Sequence, residues 1–262
     1  MSIEYVLQAF LADNNAGAKA SSTTEIALTN ASQIKLTLLE NNFPLSTYRW
    51  EFDAQAVPGL LDLDIENSAK VLAVGLSMQH ARILHSPVLL YTISAIELHR
   101  SGIHGDLSNR IILRPFDLEE HKILENWSRI AQFMKAPTNL HVLEALDNYW
   151  DALHSVMRRS RYLNLWASLE KASNHDGRSR NGSEFDKRVV AITKVDESKV
   201  CALRTLNNDL KHIARPAREA TGNAVLVTGP DSAAVKALLD LTLSQFFGLS
   251  SPIEARQYLS TP

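Results

Sequence analysis

The chain has 262 residues, 27 Lys+Arg against 29 Asp+Glu, a formal charge of −2 and 45% hydrophobic residues. That composition excludes a disordered tail, a collagenous chain and a membrane protein. It also excludes a protein that is basic all over, but not a local basic face. The length exceeds one typical domain, so two domains are the starting expectation.

One cysteine, Cys201, leaves no intrachain disulfide and fits a reducing cytosol. The first fifteen residues carry Glu4 and no Lys or Arg before Lys19, unlike the positive start of a secretory signal. The longest apolar-leaning stretch, Ser86 to Ile96, is far short of the ~20 residues that span a bilayer. A cytoplasmic location is therefore expected, with no membrane partner.

The first third reads as strands. Gln33 to Leu38 and Tyr48 to Asp53 alternate polar and apolar residues at period two, which puts alternate side chains on opposite sheet faces. Val88 to Ile96 is β-branched and aromatic, and Arg110 to Arg114 is a short strand stopped by Pro115. Residues 66–85 are ambiguous, with a helix possible there. The fold class expected is α+β: a mainly antiparallel β domain over 1–115, a sandwich or partial barrel, then an all-α helical bundle over 116–262.

The helices follow in order. Asp117 is a good N-cap, with Ile123, Trp127, Ile130, Ala131 and Met134 inward, and Ala136-Pro137 ends this helix. Leu140, Leu143, Leu146, Trp150, Leu153 and Met157 form the next apolar stripe, and Tyr162, Leu165, Trp166 and Leu169 another. A polar loop runs from Asn174 to Gly182. Ser183 and Asp186 mark a helix with Phe185, Val189 and Ile192 inward. Ser198 opens a helix to Ala214, stopped by Arg215-Pro216. Asp231 caps the last helix, and Gly248 stops it.

Most motif chemistry is absent. His80/His85 and His99/His104 are five apart, which suits ligands on neither a helix nor a strand face, and HExxH is missing. No glycine-rich phosphate loop and no GxSxG elbow occurs. Neither a metal nor a cofactor is implied. The tryptophans Trp127, Trp150 and Trp166 sit at core positions.

The informative segment is Ser198–Ala214. Val200, Ala202, Leu203, Leu206, Leu210 and Ile213 make its apolar arc, and Arg204, Asn208, Lys211 and His212 cluster opposite. A cation, an amide and an imidazole thus run along one stripe. Charge is uneven too. Residues 1–80 carry four basic and nine acidic side chains, whereas residues 156–218 carry fourteen basic and seven acidic, a local +7. Arg158, Arg159, Arg161, Arg178, Arg180, Lys187, Arg188 and Lys211 are candidate contacts to a phosphate backbone.

Asn208-Asp209-Leu210-Lys211-His212 resembles the RNxxxH element of HEPN domains, which are small helical bundles. Leu165 to Glu170, the polar loop after it and Phe185 to Val190 are similar to the upstream context, so the resemblance covers roughly 140–246. It implies a homodimer in which two such stripes face each other and, in many members, metal-independent RNA cleavage. His212 matches the family histidine and Asn208 the family asparagine. Asn207 stands where active members have arginine. The expectation is a HEPN-like dimer, RNA-associated or partner-binding, that does not cleave. One alternative is an endoribonuclease in which His212 moves the proton, Asn208 orients it and Arg204 offsets the developing charge. A further alternative is a small-molecule enzyme with its site between the domains.

Overall fold

The computed structural model describes residues 3–9, 24–26, 33–42, 45–79, 88–93, 96–98, 119–155, 157–174, 181–212 and 227–260. The chain divides into two compact units, Met1–Thr138 and Asn139–Pro262.

The first unit contains strand backbone at β1 (Ile3–Ala9), β2 (Thr24–Ile26), β3 (Ile34–Asn42), β4 (Leu45–Phe52), β5 (Val88–Ile93) and β6 (Ile96–Leu98), in the order β2-β3-β4-β1-β5-β6. In the β3–β4 pair Ile34 lies opposite Phe52 and Leu36 opposite Trp50, with a register shift between Leu38 and Glu40. Two helices complete the unit, α1 (Ile65–Gln79) and α2 (Glu120–Lys135).

The expected fold class, an N-terminal, mainly antiparallel β domain over 1–115, is corrected here. The described chain is mostly helical. No second layer of strands closes a sandwich among the described residues. The described core of this unit is helical as well: α1 is buried on every side from Ser68 to Met78, and it packs on α2. A helix buried all round shows no polar stripe in its sequence, which is why residues 66–85 carry no readable period. Helix α2, grouped by sequence with the C-terminal bundle, packs within the first unit.

The α1–α2 contact is close because of one glycine. A Cβ on Gly75 would sit 2.7 Å from Trp127 Cδ1. With hydrogen there instead, α2 approaches near enough for Asn126 Nδ2 to donate to the Gly75 carbonyl (3.0 Å) and Trp127 Nε1 to the Leu72 carbonyl (3.0 Å). Phe52 lies against Trp127, ring centroids 4.9 Å apart. The buried Glu120 carboxylate accepts the backbone N–H groups of Gln33 and Ile34, fixing the start of β3 to the start of α2.

The second unit is a helical bundle: α3 (Leu140–His154), α4 (Arg158–Ser173), α5 (Gly182–Thr193), α6 (Glu197–His212), α7 (Gly229–Phe247) and α8 (Ile253–Ser260). α4 packs on α3 and on α7, and α5 and α8 also pack on α7. Asn139 caps α3 through His141 N and Val142 N. α5 is capped by Asn181, ahead of the expected signals Ser183 and Asp186. Thr228, not Asp231, is the N-cap of α7; Asp231 is its capping-box partner, and Gly248 stops the helix at φ 66°.

The inward face of α3 is rotated by about one residue from expectation. Val142, Ala145, Leu146, Tyr149, Ala152 and Leu153 are buried, Trp150 is half-buried, and Leu140 and Met157 are exposed. Tyr149 takes the core position because its hydroxyl finds a buried acceptor there, Asp240 of α7. Trp127 and Trp166 are in the core as expected. The Arg110–Arg114 strand, Asp117, Ile213, Ala214 and the four paired histidines lie outside the described residues.

Candidate functional site

Helix α6 does not present its four polar residues as one open stripe. Arg204 is turned onto α5: its Nε lies 3.0 Å from each carboxylate oxygen of Asp186, and its Nη2 lies 3.6 Å from Cys201 Sγ. The Asp186 side chain is 4% exposed and that of Arg204 27%, so the pair is a core-edge lock. The Asp186 carboxylate pushes the Arg204 pKa further up, outweighing the opposing effect of burial. The guanidinium also lies against the backbone of Gly182, where a Cβ would stand 2.9 Å from Nη1.

Asn208 and Lys211 are exposed, and Lys211 Nζ is 3.7 Å from Glu170 Oε2 on α4. His212 is the last described residue of α6. Asn207 is 1% exposed. It sits four residues after Leu203 and three before Leu210, both buried, so the same spacing that defines the apolar arc includes it.

The other basic candidates separate by burial. Arg161 is buried and its Nη2 donates to the Ser155 carbonyl at 2.8 Å. Arg158 and Arg188 are half-buried and Lys187 is exposed. Arg159 is exposed, and its Nη2 donates to the Leu210 carbonyl at 2.7 Å. Arg178 and Arg180 lie outside the described residues. The structure thus brings Arg159, Asn208 and Lys211 to the last described turn of α6, pairs the half-buried Arg204 with Asp186 and buries Arg161.

One cluster went unnoticed in the sequence. Lys236 and Asp240 on α7 and Tyr149 on α3 are all fully buried. Tyr149 donates to Asp240 Oδ1 and Lys236 Nζ to Asp240 Oδ2, each at 2.5 Å, and Nζ lies 5.8 Å from the Tyr149 ring centroid. The signal was available: Lys236 stands in a largely apolar run, and positions 235–244 of α7 are all buried, so it has no polar face to occupy and needs an internal acceptor. Nearby, Tyr162 donates to the Leu203 carbonyl at 2.6 Å, and burial holds its hydroxyl well above the usual phenol range.

The Arg204–Asp186 pair makes an asymmetric prediction. Arg204→Ala strands a nearly buried carboxylate and is expected to cost about 3 kcal/mol. Asp186→Ala leaves an arginine that can turn to water, for about 1–2 kcal/mol. Urea midpoints at constant slope check this; equal losses would mean that Asp186 is hydrated.

Among the described residues no group of three or more His, Cys, Asp or Glu is placed to hold a metal ion, and no helix is long and apolar enough to cross a membrane. No protein-family model, no curated protein and no solved structure matches the chain.

Proposed function

We propose that this chain is a HEPN-like homodimer whose helical unit binds RNA without cutting it. The observation that carries this reading is the engagement of Arg204 by both oxygens of Asp186. In-line cleavage needs a cation held against the developing phosphorane charge. Arg204 is committed elsewhere, and Asn207, at the family's arginine position, lies on the core side of α6. A phosphate-binding role needs only exposed donors, and Asn208, Lys211 and Arg159 supply them at the last described turn of α6.

The test is direct. Purified protein is expected to bind a labelled single-stranded RNA with log affinity falling linearly with log salt, by about 0.7 per phosphate neutralised. It is expected to leave that RNA intact in EDTA and to elute with the mass of two copies. Cleavage that His212→Ala abolishes would replace this reading by the endoribonuclease one. No binding at low salt would remove RNA as the partner.

A further inference from the structure

We infer that the outer face of α3 docks a basic amphipathic helix of a partner protein. This surface is separate from the donors on α6 and does not depend on RNA binding. Helix α3 carries two apolar stripes, and the bundle uses one of them: Val142, Ala145, Leu146, Tyr149, Ala152 and Leu153. The other is Leu140, Leu143 and Trp150, whose spacings of three and seven keep them on one side of the helix.

Leu140 is 72% exposed, and Leu143 and Trp150 are half-buried. His154, one turn after Trp150, prolongs the line: its ring lies against the indole, centroids 4.0 Å apart. Met157, in the turn that follows, is 70% exposed. Among the described residues only one other large apolar side chain, Leu61, is exposed. Single apolar residues on a surface are ordinary, but an apolar line bordered by charge marks a binding surface. From Leu140 to His154 the line runs about 21 Å, which a helix of about four turns would cover.

Charge decides the occupant. Glu144, Asp147 and Asp151 are exposed along the line. Lys171 of α4 pairs with Glu144, and the half-buried Arg158 stands past the end of α3. Carboxylates therefore hold the middle of the face, and the cations stand towards its ends. A second copy fits poorly. Two α3 helices side by side in parallel would set each carboxylate against its counterpart. Antiparallel, with each Leu140 towards the other's Met157, they would bring both Asp147–Asp151 pairs together at the centre. Such like-charge meetings exclude a partner. A helix with leucines every third or fourth position and lysines beside them satisfies the apolar line and the carboxylates together.

The test uses the full chain and a fluorescein-labelled, fifteen-residue helical peptide of that composition as probe. Fluorescence anisotropy is expected to show saturable binding that weakens as salt rises. The same peptide with glutamate for each lysine is expected not to bind. Leu140→Lys, at a site that folding leaves exposed, is expected to weaken binding about tenfold. Asp147→Lys combined with Asp151→Lys is expected to transfer the preference to the acidic peptide. Circular dichroism checks that each variant is folded. No binding of the basic peptide to the wild type at low salt overturns the inference. So does equal binding by the wild type and a folded Leu140→Lys, or an unchanged preference in the folded double variant. A change in the number of copies on Leu140→Lys overturns it too, because the face is then an interface between copies.

Discussion

Asp240→Ala is expected to destabilise the helical unit by about 4 kcal/mol, the cost of breaking a buried charge pair by removing one partner. Asp240 accepts from Tyr149 and Lys236 at the same time, and all three side chains are shielded from water. Its loss takes away the carboxylate to which a buried ammonium donates, and it leaves a buried phenol without that acceptor. The Coulomb attraction is large in such a place, but so is the cost of desolvating both charges. Replacing the whole cluster by Tyr149→Phe, Lys236→Met and Asp240→Leu is therefore expected to recover most of the loss, because both buried charges and the phenol go together. Tyr149→Phe alone is expected to cost about 1–2 kcal/mol. Urea unfolding followed by circular dichroism checks all three. A loss under 1 kcal/mol for Asp240→Ala would show that water reaches the cluster.

Trp127→Ala is expected to cost the first unit about 4 kcal/mol, the usual range for emptying a large aromatic site. The indole is almost fully buried, lies against Phe52 and donates to the Leu72 carbonyl, so packing and a hydrogen bond are lost together. Gly75→Ala acts on the same contact in the opposite sense, by overfilling it. It is expected to cost about 1–3 kcal/mol, since Trp127 is held by its hydrogen bond and cannot yield freely. The double variant is expected to lose less than the sum, because the new methyl group enters the space that the indole leaves. Additive losses would mean that Gly75 matters for some reason other than Trp127.

Local signals in the sequence were strong where one face of an element meets water. The break at Ala136-Pro137, the Gly248 stop and the inward Tyr162, Leu165, Trp166 and Leu169 were legible for that reason. Elements without a wet face were not. α1 has no polar stripe over its buried part, so the sequence allows a helix there without fixing it, and the period-two runs around it make the N-terminal part look more strand-rich than it is. In α3 two neighbouring apolar stripes competed, and the choice of Tyr149 over Trp150 turned on an acceptor ninety-one residues away. The placement of the candidate site residues shows the same limit. Arg204 looked exposed by spacing, but Asp186, on the previous helix, decides where it points. Arg159 was one cation among many until its contact with Leu210 could be seen.

The closeness of Gly182 to the Arg204 guanidinium has a consequence for how this chain can vary. A methyl group at 182 and the Arg204–Asp186 pair compete for one volume, so each position sets what is acceptable at the other. Substitutions at the two sites should be strongly epistatic. An alanine at 182 forces the guanidinium to shift while arginine stands at 204 and meets no such contact once that side chain is short. The paired change relieves that contact but still strands the Asp186 carboxylate, so the first residue of α5 and the middle of α6 are coupled without being interchangeable.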